Sequence, residues 1–251
     1  MELVTSLLMI ITGVFVGIIG TTVGGSSFIT IPFLMILGLN PYVAIATNKI
    51  SILGSFITGG VKYYKEGVIK YEKLILILII AASLGSVIGA NLVLKIDEYI
   101  LKIIIIILLI ISLLITLTKN KLGSNSLKIK LTKQKYVTSF IVIFLLGIYS
   151  GFFGAGFGTF IIFSLIYFFG LTFLEGAAFM TIINLFVIVV AVIIFAYNNI
   201  IDYSIGIPLL IGTTIGGWLG ARLAILKGNI WIKKFFILIT FILIIKLIFT
   251  L

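Results

Sequence analysis

The chain has no cysteine and no histidine. The first absence removes thiolate chemistry and disulfides, and the second removes the imidazole general base and the commonest transition-metal ligand. Charge is scarce as well: 10% of the 251 residues are charged, 7 acidic against 18 basic. Ser150, in Tyr149-Ser150-Gly151, superficially matches an intramembrane serine protease loop, but no histidine is present to activate its hydroxyl. No enzymatic activity, catalytic residue, metal set or cofactor is therefore expected.

What the chain has is apolar length. Hydrophobic residues make up 62% and the mean hydropathy is +1.40, values of the membrane class. Leu74 to Leu94, Ile103 to Thr118 and Phe235 to Leu251 approach the ~20 residues a helix needs to cross a ~30 Å hydrocarbon core. These runs lack the alternation of barrel strands, and lipid forces every backbone amide to pair internally, so the expected class is all-α. The net charge of +11 does not indicate nucleic acid, because the lysines fall in gaps between apolar runs. Met1-Glu2 offers no basic n-region and no small-residue cleavage site follows, so the first run is expected to stay as a membrane segment.

Ten segments are predicted, near 3–20, 26–38, 43–61, 73–95 and 99–118, then 136–153, 158–170, 176–197, 203–226 and 231–250. A Lys-rich stretch, 119–135, separates the two sets, giving a first membrane repeat at 1–118 and a second at 136–251. Gly13, Gly17, Gly20 and Gly24 match Gly147, Gly151, Gly154 and Gly158 at an offset of 134, as Thr47 matches Thr181. Gly85, Gly89 and Ala90 match Gly216, Gly220 and Ala221 at 131, which implies three residues lost along the second copy.

If the short segments cross the bilayer, each half makes five crossings. Fourteen of the 18 cations then share one face, against Lys95, Lys102 and Lys246 on the other. If they are re-entrant, Lys62, Lys65, Lys70, Lys73 and the linker oppose Arg222, Lys227, Lys233 and Lys234. The positive-inside rule favours the first arrangement. Five crossings per half make the repeats inverted, with Lys-rich loops cytoplasmic and both termini extracytoplasmic in a multi-pass cell-membrane protein. The expected fold is thus a polytopic helix bundle of two inverted repeats, each of about five segments including one short broken helix.

Each first helix ends in a glycine-rich break before a short helix: Gly20-Thr21-Thr22-Val23-Gly24-Gly25-Ser26-Ser27 and Gly154-Ala155-Gly156-Phe157-Gly158-Thr159. Ser26, Ser27 and Thr159 are natural N-caps. A ~20 Å helix with one end at an interface starts ~10 Å inside the hydrocarbon, where its free amides suit an anion. Gly24, Gly25, Gly156 and Gly158 are assigned to binding on this ground, with Thr21, Thr22, Ser26, Thr47, Asn48 and Thr159 as the polar substrate-binding candidates around them. Gly13, Gly17, Gly85, Gly89, Gly216 and Gly220 are assigned to close helix packing. Thr47-Asn48-Lys49 puts an ionisable group inside an apolar stretch, where Lys49 either attracts an anion or snorkels to the interface. Thr181 and Asn184 either hydrogen-bond a substrate or tie neighbouring helices. Arg222 faces the headgroups. Glu175, Asp97, Glu98 and Asp202 fall at predicted ends.

These residues carry a resemblance. Gly13-x-x-x-Gly17-x-x-Gly20-x-x-x-Gly24-Gly25 with Pro32, Ala44-x-Ala46-Thr47-Asn48, the Gly67 turn, Gly85-x-x-x-Gly89-Ala90 and their second-half echoes together resemble the TauE/SafE family of sulfite and organosulfonate exporters and permeases. The chain departs from that pattern in Thr21-Thr22, where members often carry more glycine, and in lacking a second-half equivalent of Pro32. The resemblance implies a transporter of a small inorganic or organosulfur anion such as sulfite or a sulfonate, working in the lipid bilayer and compatible with a homo-oligomer. An exporter of anions needs no coupling ion, because the inside-negative potential supplies ~2.3 kcal/mol per charge per 100 mV. The alternative from another class is a non-transporting membrane scaffold or assembly subunit.

Overall fold

The computed structural model describes residues 3–69, 72–101, 103, 104, 107 and 133–250. Among the described residues eight helices can be bounded: α1 (Leu3–Val23), α2 (Ser26–Ile36), α3 (Pro41–Lys65), α4 (Glu72–Val93), α5 (Lys133–Phe152), α6 (Phe157–Phe169), α7 (Phe173–Tyr197) and α8 (Tyr203–Thr250). The described residues contain no strand, so the all-α expectation holds. Most of the predicted fifth segment and of the Lys-rich linker, together with Lys70, lies outside the described residues. The last two predicted segments both fall within α8, which Gly228 (φ 71, ψ -171) divides.

Local chemistry sets the ends. Asn40 accepts a hydrogen bond from the Val43 amide and Pro41 occupies the first turn of α3, a position where the absent N–H of proline has no helical partner to lose. Thr172 and Glu175 form a reciprocal capping box at the start of α7. Five stretches, in α1, α4, α5, α7 and the Tyr203–Gly228 part of α8, are long and apolar enough to cross a membrane. The short helices α2 and α6, with 11 and 13 residues, measure about 16 and 20 Å at 1.5 Å per residue.

Helix directions follow from which residues meet. Ile10, Val14 and Ile18 of α1 lie against Gly212, Gly216 and Gly220 of α8, both series ascending, so α1 and α8 are parallel. Ser51 and Ser55 of α3 meet Thr213 and Gly217 of α8, again ascending. Ala82 and Ser86 of α4 meet Gly147 and Gly151 of α5 in the same way. The short connections from α3 to α4 and from α7 to α8 reverse the chain. Helices α1, α3 and α8 therefore run one way, and α4, α5 and α7 run the other.

Two close seams, α1 on α8 and α4 on α5, are backbone on backbone. A Cβ at Gly13, Gly17, Gly85, Gly89, Gly216 or Gly220 would lie within 3 Å of main-chain atoms of the facing helix. Their assignment to packing is correct, and dispersion across a close backbone approach is what holds helices together where lipid removes the hydrophobic drive.

Landmarks of the two halves recur at a nearly constant spacing. The left-handed break at Gly24 returns at Gly154, 130 residues on. The starts of α2, α3 and α4 return 131, 132 and 131 residues on, as α6, α7 and α8. These helix starts and left-handed glycines favour a spacing near 131, about one turn shorter than the 134 inferred from the glycines. The glycines repeat every three or four residues, so a register slipped by one helical turn matches almost as many of them.

Gly216→Val should destabilise the protein by about 1–3 kcal/mol through overpacking against α1, read as a lower thermal unfolding temperature in detergent. Gly25→Ala should unfold close to the parent temperature, because its Cβ meets only Phe28 Cδ2 at 3.6 Å and Ile19 Cγ2 at 3.9 Å.

Candidate functional site

The two glycine breaks touch. A Cβ on either Gly24 or Gly158 would overlap the main chain of the other, and the Thr159 hydroxyl donates across the contact to the Val23 carbonyl at 3.0 Å. Both breaks need glycine for the same reason: φ is +74° at Gly24, +81° at Gly154 and +75° at Gly156, a region other residues rarely adopt.

Ser26, Ser27 and Thr159 are not N-caps. Gly25 caps α2 and Gly156 caps α6, neither with a side-chain hydrogen bond, and the three hydroxyl residues lie one to three positions inside their helices. Thr159 is turned toward Val23, and Ser27 toward α3. The first-turn amides of both short helices are thus left without side-chain caps at the point where the breaks converge.

Helix α3 reaches both breaks through consecutive residues. Asn48 donates from Nδ2 to Ser27 Oγ at 3.0 Å, at the N-terminus of α2. Lys49 donates from Nζ to the Ser150 carbonyl at 2.5 Å, beside Gly154 at the second break. Successive helical side chains diverge by about 100°, which lets one dipeptide address two partners. The Ser150 carbonyl is open because the Gly154 amide, its ordinary helical donor, goes to the Tyr149 carbonyl instead, at 3.0 Å. Lys49 is 1% exposed, so it does not snorkel. It is the one buried cation among the described residues, and no ion pair to it occurs among them. Asn48 is 0% exposed, and its Oδ1 has no hydrogen-bond partner.

The other predicted residues divide. Thr21 donates to Gly17 and Thr22 to Ile18, each on its own helix, and Thr181 donates to Ala177 likewise. Thr47 accepts from the Asp202 amide at 2.9 Å and so ties α3 to the start of α8. Ser26 lies buried beside Ser55 and Gly20, and Asn184 is buried on α7. The residues brought together at the breaks are Gly24, Gly25, Asn48, Lys49, Gly156, Gly158 and Thr159. Sequence reasoning missed Ser27 as a partner of Asn48 and the Ser150 carbonyl as a partner of Lys49. Only Gly154 hinted at the latter, since a left-handed glycine frees a carbonyl one turn back.

Carboxylates stay at the ends. Glu175 belongs to its capping box, Asp202 accepts from the Ser204 amide at 2.9 Å, and Asp97 accepts from the Tyr99 amide at 2.9 Å. At the far end of α3, Lys62 pairs with Glu66 at 2.6 Å, and this hydrogen bond holds the Glu66 carboxyl below its ordinary range. Lys62 Nζ lies 5.7 Å from the Trp218 ring centre and Arg222 Cζ lies 5.3 Å from it. One indole thus joins cations of α3 and α8 at a single end of the bundle.

The described helices break beside a buried ammonium that has no carboxylate partner among them, and the chain is similar to proteins described as probable membrane transporters. A family model described as "Sulfite exporter TauE/SafE" matches residues 9–247, and the chain belongs to that family, as the glycine pattern implies. It is 27% identical over 226 residues to a "Probable membrane transporter protein" of Haemophilus influenzae, covering 90% of this chain and 88% of that one. It is 26% identical to YfcA of Escherichia coli K12, with 93% and 86% covered, and 24% identical to YdhB of Bacillus subtilis, with 91% and 92% covered. Both bear the same description. No solved structure matches.

Lys49→Met should raise the unfolding temperature of the anion-free protein, by about 1 kcal/mol or more in stability, because an uncompensated buried charge is costly and methionine fills similar space. A marked drop instead would assign the ammonium to capping Ser150.

Proposed function

We propose that this transporter exports a small anion, most favourably sulfite, a sulfonate or a related sulfur oxyanion, through two inverted repeats that meet at the glycine breaks. The observation that carries the reading is Lys49: a buried ammonium with no carboxylate partner, set where two uncapped helix N-termini converge. Helix N-termini present unpaired N–H groups and the positive end of the dipole, so an anion there meets donors and charge together. The family description names sulfite, which supports the sulfur oxyanion class.

Inversion is supported by the helix directions. In the first half α1 and α3 run one way and α4 the other, while their counterparts α5, α7 and α8 run with every direction reversed. Because α1 and α3 run alike, α2 takes the chain back between them, which favours short helices that cross over short helices that turn back. Lys62 and Arg222 sharing Trp218 favours the same topology. With five crossings per half these cations lie on one face, cytoplasmic by the positive-inside rule, and both termini lie opposite. The proposed substrate contacts are Asn48, Lys49, Thr159 and the main chain at Gly24, Gly25, Ser26, Gly156 and Gly158. Thr21, Thr22, Thr47, Thr181 and Asn184 form the surrounding wall.

Reconstituted protein should move labelled sulfite or a sulfonate down its gradient. Lys49→Gln should lose at least about 30-fold in affinity, since removing one partner of a buried charge pair costs about 2–5 kcal/mol. A folded protein that moves no sulfur oxyanion and shows no anion-dependent thermal shift would be a scaffold instead. Because the chain has no native cysteine, single cysteines at Lys65, Lys227 and Lys95 can be labelled from each side. Lys65→Cys and Lys227→Cys should react from the cytoplasmic side and Lys95→Cys from the other, and a split between the first two would break the topology.

A further inference from the structure

The buried carboxamide of Asn48 is half satisfied. Its Nδ2 donates to Ser27 Oγ at the uncapped start of α2, while its Oδ1, also buried, accepts from nothing. A buried acceptor without a donor costs about 1–3 kcal/mol, and among the described residues this oxygen is the one buried side-chain polar atom without a partner. Thr21, Thr22, Thr30, Ser51, Ser55, Ser86, Thr181 and Thr213 are all buried and each places its hydroxyl on a carbonyl. The exception lies next in sequence to the exceptional charge, Lys49, which has a carbonyl but no anion.

The two neighbouring deficits have different chemistry. The ammonium lacks one negative charge and the carboxamide oxygen lacks one hydrogen-bond donor. A dianion would overcompensate a single ammonium, and no second buried cation occurs among the described residues to balance it. A monoanion with no donor would leave Oδ1 as it is. Resting on the anion-transport reading above, we infer that the site selects a monoanion that carries its own hydrogen-bond donor, such as a singly protonated oxyanion or a hydroxylated sulfonate, with the anionic oxygen toward Lys49 and the donor toward Asn48 Oδ1. Sulfite then binds as hydrogen sulfite rather than as the dianion, and the carboxamide sets specificity among anions of equal charge.

Hydroxymethanesulfonate and methanesulfonate make the test, because they share charge and headgroup, differ by one hydroxyl, and neither changes charge near neutral pH. Binding to the full-length protein in detergent, read by calorimetry or thermal shift, should favour hydroxymethanesulfonate about tenfold, the weight of one buried polar group left unpaired. Asn48→Leu should level the two ligands, and Lys49→Gln should weaken both alike. Should Asn48→Leu not fold, the wild-type pair decides. Hydroxymethanesulfonate binding no tighter than methanesulfonate, including the case in which only sulfite binds, overturns the inference and leaves anion transport standing, as does a preference that survives in Asn48→Leu. No response to sulfite or to either sulfonate overturns the anion reading itself, and this inference with it.

Discussion

In hydrocarbon a main-chain carbonyl or amide has no water to turn to, and an unbroken helix answers that constraint by pairing each group with its own backbone. This protein breaks two helices inside the bundle, at Gly24 and Gly154, and much of the surrounding arrangement deals with the groups those breaks release. Lys49 reaches the freed Ser150 carbonyl, Thr159 reaches the Val23 carbonyl, and Tyr63 reaches the Thr21 carbonyl at 3.0 Å. Each of these donors comes from a different helix than its acceptor, so the breaks are stabilised by tertiary structure and not by the segments that contain them.

That dependence explains the glycine seams. Donors on α3 and α6 reach the breaks only if the flanking helices are drawn together, and the backbone contacts of α1 with α8 and α4 with α5 bring them close. Hydroxyls stitch the same region: Thr213 donates to the Ser51 carbonyl and Thr58 to the Thr214 carbonyl, joining α3 to α8. The consequence is a frame holding a polar interior in which, among the described residues, Asn48 Oδ1 lacks a donor and Lys49 lacks an anion, at the place where function is proposed.

Much of this was legible in the residues. Apolar runs located the helices, because a membrane helix needs length and hydrophobicity more than it needs a pattern. Asn40-Pro41 and Thr172 with Glu175 start two helices through local hydrogen bonds, two and three residues before the apolar runs placed them. The glycine breaks were visible too, since left-handed backbone all but demands that residue. What misled was repetition at helical spacing: glycines every three or four residues match themselves one turn out of register. Serine and threonine at helix starts misled as well, because a cap depends on where the backbone leaves the helix, and Gly25 and Gly156 moved that point back.

The sequence by itself determined the helical class, the family and the location of the two breaks, because each rests on composition or on backbone freedom that a residue carries with it. Only the tertiary structure decided that the breaks touch, that Lys49 is buried and not at the interface, and that Asn48 is left with an unmatched oxygen. Those outcomes depend on which helix lies across from which, and on long side chains with several reachable partners. A lysine two turns into a helix can point to water or to a carbonyl, and only the neighbouring helices determine which it finds.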